Sequence, residues 1–325
     1  MTSEKTTMAL NVTERTIFDQ FPFWRNVLGF EATLTPGRTQ IVVGCGTSYH
    51  LAQSIAAALN ESGTGALAVP GGEWSRRHRS YCPASEGLEV IALSRSGEST
   101  ETVQAAQISR QVGVPVTALT CADGSLSRNA DSVLFAPTHP EEGIVMTASA
   151  SLMLQMGLIQ ARVPMHGGTV EAAEELLALA DKHLATIIEG RSHFVCLGGG
   201  ALYGVAQEAT IKLQEMSLSW TQAYHPMEYR HGPISLIDQR SFVAMLYHPD
   251  TADEEARIAS ELRAKGAFVL GLGGPGDLSL PVSVPASVRP LVYLPTLQLL
   301  GERVAQMKGL DSTAPRHLQK VVVLS

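Results

Sequence analysis

Residues 88–102, LEVIALSRSGESTET, decide how the rest of the chain is read. Their first half is an apolar run with β-branched residues, the pattern of a strand buried in a parallel sheet, and it stops abruptly at Ser94-Arg95-Ser96-Gly97-Glu98-Ser99-Thr100. A strand, a hydroxyl-rich turn and then a helix gather backbone N–H groups at a helix N-terminus and add Ser and Thr donors, which suits a phosphate monoester. Arg95 would add a formal positive charge. Ser96 or Ser99 would equally serve as a plain helix cap, since Ser is favoured there. A second copy of the same device weighs toward anion binding: residues 40–44, QIVVG, read as a strand, 45–49, CGTSY, as a turn, and 51–59, LAQSIAAAL, as a helix. If the two strands are neighbours, both turns open on the crevice at the carboxyl ends of the strands, where strand order reverses. The glycines spell neither the dinucleotide fingerprint nor a Walker loop, so the expected anion is a phosphosugar and not a nucleotide.

A chain of 325 residues, 45% of them hydrophobic, allows one large or two medium domains, and two are expected. With 31 acidic and 24 basic residues the net charge is −7, and no run of Lys or Arg offers a track for nucleic acid or an anionic membrane. Any phosphate must therefore be held locally. Cys45, Cys82, Cys121 and Cys196 are scattered without CxxC spacing, which suggests neither a metal site nor a disulfide framework and fits a reduced, cytoplasmic setting. The opening MTSEKTTMAL lacks the apolar core of a signal peptide, and no apolar run approaches the roughly 20 residues that span a bilayer.

Ile17, Phe18, Phe21, Trp24, Val27 and Leu28 gather on one helical face, interrupted by Pro22. Such an arm needs something to pack on, either its own domain or a partner subunit. From residue 38 an α/β rhythm begins, with strands ending near Gly44, Ser94, Thr120 and Ala136, a short run at 65–69, and a long helix over 146–162. The stretch 164–169, PMHGGT, reads as a linker. A helix over 170–187 follows, then a strand at 193–197, a turn at 198–200 and a helix over 201–218. Further strands are expected at 242–247 and 267–272, with helices at 252–265 and 295–308. The expected division is an N-terminal helical arm at 1–35, a first domain at 36–165, a second at 166–312 and an active-site tail at 313–325. The fold class is α/β, two similar layers in tandem, each a parallel sheet covered by helices on both faces.

Within the 201–218 helix, Glu208, Lys212 and Glu215 fall in a stripe about 60° wide, because their spacings are four and three. Val205 and Met216 flank it on one side, Ile211 and Leu218 on the other, while Thr210, Gln214 and Ser217 read as the wet face opposite. The stripe is thus expected to face inward, where ionisable groups are costly unless paired and tend toward catalytic use. The segment 223–233, AYHPMEYRHGP, is too rich in ionisable groups to be spacer, and its His231 is held in a turn by Gly-Pro. The tail 311–320, DSTAPRHLQK, would close Arg316 and Lys320 over an anionic sugar, or dock a terminal strand through the VVVL that follows.

GCGTSYHLA, SRSGEST, the QEATIKLQEMS helix, EYRHGP and the terminal PRHLQK together resemble the sugar isomerase (SIS) family, most of all the isomerase half of glucosamine-6-phosphate synthase and the stand-alone glucosamine-6-phosphate deaminases of SIS type. The resemblance runs from about residue 39 to residue 320. It implies two flavodoxin-like SIS domains, a homodimer with the active site at the subunit interface, and a small-molecule sugar phosphate as ligand. It implies that Thr47, Ser48, Ser94, Ser96 and Ser99 hold the phosphate, with Arg95 beside them where the family often has Gln. Glu215 would move a proton between C1 and C2, and His231 of the neighbouring subunit would open the ring. Lys320 would approach the open-chain carbonyl, with a Schiff base open to it, and Glu208 and Lys212 would form the supporting charged pair. Two features depart from the family: Thr147-Ala148-Ser149-Ala150 has Ala where Lys is usual, and residues 1–325 contain no glutaminase domain of the kind that feeds the synthase ammonia.

An aldose–ketose shift needs an acid or base near the anomeric oxygen, a carboxylate that carries a proton between adjacent carbons, and donors for the enediol oxygens. It needs no metal or redox cofactor, and none is expected. The reaction the residues favour is conversion of glucosamine 6-phosphate to a ketose 6-phosphate with release of ammonia. The alternatives are a fructosamine-6-phosphate deglycase, a plain ketose–aldose phosphate isomerase, and a non-catalytic phosphosugar sensor. A sensor would lack the inward charged helix and would usually carry a DNA-binding segment.

Overall fold

The computed structural model describes residues 10–321. The signal-peptide reading of residues 1–9 and the docking of a terminal strand over 322–325 lie outside them. Five strands, β1 (Thr39–Gly44), β2 (Ala66–Pro70), β3 (Leu88–Ser94), β4 (Val116–Thr120) and β5 (Ser132–Phe135), form a wholly parallel sheet in the order β2-β1-β3-β4-β5. Every residue of β3 is buried, as its apolar run requires of a strand flanked on both edges and covered on both faces. Five more strands, β6 (His193–Gly198), β7 (Thr221–Tyr224), β8 (Ser241–Leu246), β9 (Phe268–Leu272) and β10 (Leu278–Leu280), form a second parallel sheet ordered β10-β9-β8-β6-β7. Read from its other edge, the second order is the first with each strand number advanced by five. The tandem repetition is therefore plain in the topology.

The helices are α1 (Val12–Phe18), α2 (Phe21–Asn26), α3 (Thr47–Glu61), α4 (Gly71–Arg77), α5 (Thr100–Gln111) and α6 (Ser125–Arg128). They continue as α7 (Ala148–Gln160), α8 (Gly167–Ile187), α9 (Ala201–Ser217), α10 (Pro226–Tyr229), α11 (Ala252–Ala264) and α12 (Arg289–Met307). Helices do cover both faces of each sheet, but the inner layer is shared. Val42, Ile91 and Leu93 from one sheet and Phe194, Phe242 and Leu270 from the other join α3, α7, α8, α9 and α12 in a single apolar core. Separate outer cores lie beneath Trp74 and Val103 on the first sheet and beneath Ile258 and Leu262 on the second. All thirteen residues of α7 are buried, as a helix between two sheets must be. The N-terminal arm packs on its own chain: Ile17 and Trp24 are fully buried, and α1 and α2 lie against α7, α8 and α12.

In the shared layer α3 and α9 run antiparallel, with Thr47 beside Glu208, His50 and Ser54 beside Gly204, and Glu61 beside Gly200. The approach at Gly204 is closer than any side chain permits. A Cβ there would stand 2.4 Å from the His50 carbonyl oxygen and 2.5 Å from the Ser54 nitrogen. Each helix begins at a glycine in the same unusual conformation, Gly46 at φ 54°, ψ −126° and Gly200 at φ 55°, ψ −132°. Fifteen residues on from each stands a glutamate, Glu61 and Glu215 respectively.

Several expectations are corrected. Helix α8 begins at Gly167, so the 164–169 linker is shorter than it reads. Helix α12 begins at Arg289 and not at 295, with Pro290 in its first turn and Pro295 inside the helix. The strands β7 and β10 and the helices α4, α6 and α10 are additional elements. Thr210 and Ser217 are buried, not wet, since α9 is enclosed on nearly every side; their hydroxyls donate to the Gln207 and Leu213 carbonyls. Leu218 is exposed and left-handed, at φ 50°, where the helix stops. Among the described residues, no helix is long and apolar enough to cross a membrane.

Candidate active site

The strand order of the first sheet reverses between β1 and β3, and the turns leaving those two strands open on one cleft of about 220 Å³. At the end of β1, a Cβ on Gly44 would lie 2.6 Å from the Ser48 backbone, so the tight entry into α3 requires glycine. That turn presents Cys45, Gly46, Thr47 and Ser48 to the cleft, and the turn after β3 presents Arg95, Ser96 and Ser99. Ser99 is the N-cap residue of α5, yet its side chain makes no capping bond; it meets the Ser94 hydroxyl at 3.3 Å instead. Ser96 Oγ accepts from the Glu98 backbone N–H at 3.2 Å. Of the six residues expected at the phosphate, Thr47, Ser48, Arg95, Ser96 and Ser99 line the cleft and Ser94 supports Ser99 from behind.

The facing wall comes from α9. Glu215 lines the cleft with its side chain 20% exposed, and Lys212 Nζ donates to its Oε2 at 2.5 Å. Lys212 also lies 3.5 Å from Glu208 Oε1, which accepts from the Thr47 hydroxyl at 3.2 Å. Glu208 and Lys212 are fully buried beneath the cleft and do not line it. Burial pushes the Glu208 carboxyl up to about 7 against the opposing pull of Lys212, and its Oε2 has no protein partner among the described residues. Burial works to lower the Lys212 ammonium, but the Glu215 and Glu208 carboxylates outweigh it and hold it above its ordinary value. The Lys212 ammonium thus stays charged, while Glu208 is held well above the ordinary carboxylate range.

The sequence reading missed two residues. His50, one turn into α3, is pushed down to about 4, first by burial and then by the Lys212 charge, with Glu215 opposing. It presents a neutral imidazole beside the charged group, and its place in the quoted GTSYH run was the available signal. Glu142, 2% exposed, accepts from the Thr147 and Ser149 backbone N–H groups at 2.6 and 2.9 Å and so caps α7. It stands five residues before Thr147, outside the register in which a capping acid is usually sought.

The tail reaches the cleft as well, with Leu318, Gln319 and Lys320 along its rim. Lys320 Nζ donates to the Glu142 carbonyl at 2.6 Å. Arg95 does not offer an unshared charge: its Nη1 and Nη2 donate to the carbonyls of Gly143, Ile144 and Lys320. Arg316 is exposed and His231 is exposed in the turn after α10, neither of them among the residues that line the cleft. Two acids, Glu101 and Glu215, balance Arg95 and Lys320 along the walls. The walls thus offer an anion hydroxyls and helix N-termini more than net positive charge.

This architecture has recognisable relatives. Residues 33–161 match the SIS domain. The chain is 30% identical over 317 residues to the glutamine–fructose-6-phosphate aminotransferase (isomerizing) of Pyrobaculum aerophilum, covering 90% of this chain and 52% of that protein. The chain spans about half the length of the curated relatives it matches. Glucosamine-6-phosphate deaminase of Thermotoga maritima superposes with a TM-score of 0.85 at 29% identity, covering 97% of this chain and 100% of that one. The C-terminal domain of glucosamine-fructose-6-phosphate aminotransferase from Francisella tularensis shares the fold, with a TM-score of 0.80 at 20% identity over 94% of this chain and 98% of that one.

Proposed function

We propose that the chain is a phosphosugar isomerase that deaminates an amino-hexose 6-phosphate, glucosamine 6-phosphate first among candidates, to a ketose 6-phosphate and ammonia. The observation that carries this reading is one cleft holding a hydroxyl-rich phosphate cradle on the first lobe and, from the second, a carboxylate paired with a buried lysine. With the phosphate anchored at Ser96, Ser99 and Thr47, the far end of a hexose falls toward Glu215. Once the ring is open, Glu215 takes the C2 proton and returns it at C1, which leaves an imine at C2. Water adds to that imine and ammonia departs, so substrate and one water balance product and ammonia. The similarity to the Thermotoga maritima deaminase supports the choice of substrate. Incubation with a panel of amino-sugar and sugar 6-phosphates, measuring ammonia and ketose, tests it. Binding of the panel without turnover would make the protein a phosphosugar sensor.

Ser96→Ala combined with Ser99→Ala is expected to raise KM for every sugar phosphate on the panel, since donors to the shared phosphate are lost whatever the sugar. Hydrogen bonds to charged groups are worth about 1.5–3 kcal/mol each, so the rise should be at least about tenfold. An unchanged KM across the panel would dismiss the phosphate cradle.

The ring-opening acid in this reading is His231 of a second copy, because this chain's own His231 is not among the cleft residues. The active form is then a homodimer whose sites are shared. Mixed dimers of Glu215→Gln and His231→Ala chains, each inactive alone, should regain partial activity. Verified mixed dimers that stay inactive would place His231 elsewhere in the mechanism.

A further inference from the structure

We infer that Arg95 is a positioning residue that fastens the C-terminal tail over the cleft, and not a ligand of the phosphate. The guanidinium is 8% exposed and its fork is spent on backbone. Nη1 donates to the Gly143 carbonyl at 3.0 Å, and Nη2 donates to the carbonyls of Ile144 at 3.1 Å and Lys320 at 2.9 Å. Glu142 Oε2 stands 3.9 Å from Nη1 and compensates the buried charge. Lys320 is therefore gripped twice: its carbonyl accepts from Arg95, and its ammonium donates to the Glu142 carbonyl. Glu142 is itself fixed, its carboxylate capping α7. The turn after β3, the strap at 142–144 and the tail thus close on one another through a single side chain. A planar guanidinium reaches three carbonyls in different directions, which a lysine ammonium on a flexible stem does not reproduce.

The consequence for the site lies in how Lys320 is held. Its backbone is pinned by Arg95 while its side chain rests on a carbonyl it can leave, so the ammonium can turn toward the cleft without the tail moving. Resting on the proposed function, Arg95→Gln should lower kcat for the sugar phosphate by about tenfold, the worth of one charge-assisted hydrogen bond, with KM little changed. Arg95→Lys should not restore it.

Two measurements on the full chain need no substrate. Tryptic cleavage after Lys320 or Arg316 should be about tenfold faster in Arg95→Gln than in wild type, because the tail opens locally more often. The dissociation constant for inorganic phosphate should stay within about twofold, since one side chain whose donors are already spent adds little to the cradle. Cleavage at the wild-type rate, or phosphate binding weakened by about tenfold or more, would overturn the inference. If Arg95→Gln fails to fold, Arg95→Lys, which keeps a charge beside Glu142, carries the same two measurements. A wild-type protein that turns over none of the panel, with the tail still released by these variants, would sink the proposed function and leave the role of Arg95 standing.

Discussion

Turnover by Glu215→Gln is expected to fall about 10²–10⁴-fold, the usual loss when a general base is removed, with KM changing far less. Glu215 is the carboxylate that lines the cleft opposite the hydroxyl cradle, and its partner Lys212 is buried beneath it. Gln keeps the shape and still accepts from the Lys212 ammonium, so folding and phosphate binding should survive. Solvent deuterium entering C1 of the ketose product should fall in step with the rate. Near-normal turnover would leave Glu215 as a structural partner of Lys212. The proton carrier would then be Glu101, the other carboxylate among the described residues that line the cleft.

Gly204→Ala should destabilise the protein by on the order of 3 kcal/mol, at the upper end of overpacking costs, although alanine is the better helix former by about 1 kcal/mol. The atoms in the way are backbone, the His50 oxygen and the Ser54 nitrogen, together with the Ser54 hydroxyl, so no flexible side chain can yield. Relief requires α3 and α9 to separate, and their separation would break the Thr47–Glu208 bond that ties the turn after β1 to the charged helix. A lower urea midpoint with an unchanged m-value is the expected result, together with weaker phosphate binding. A midpoint that rises would mean that the helices have room and that their contact does not hold the site together.

Much of this was legible in the sequence. Buried parallel strands are written as unbroken apolar runs, and β1 and β3 each end at a hydroxyl-rich turn that the structure brings to one cleft. The inward direction of Glu208 and Lys212 was also readable, though from a partly false premise: of the supposed wet face of α9, Gln214 is exposed but Thr210 and Ser217 are buried, because the helix lies in a layer shared by two sheets. Thr210 and Ser217 hide their hydroxyls on backbone carbonyls of their own helix, which no periodicity reveals. The role of Arg95 was out of reach for another reason. Its partners lie 48, 49 and 225 residues away and are carbonyl oxygens, which every residue carries and no sequence pattern marks. Short edge strands such as β10, three residues long, carry too few side chains to announce themselves.

The matched glycines at Gly46 and Gly200 give this molecule two ports of the same make. Behind each opens a helix N-terminus of the kind that welcomes an anion. At Gly46 the nearest atom to the place a Cβ would fill is an Ile211 methyl, 3.9 Å off; at Gly200 it is a carboxylate oxygen of Glu61, 3.0 Å off. The chain's own acid, the positional twin of Glu215, thus stands beside the second port. On the proposed function the two helix starts are unequal, the one at Gly46 lining the cleft and the one at Gly200 faced by a carboxylate, and the expected stoichiometry is one phosphate per chain, not two.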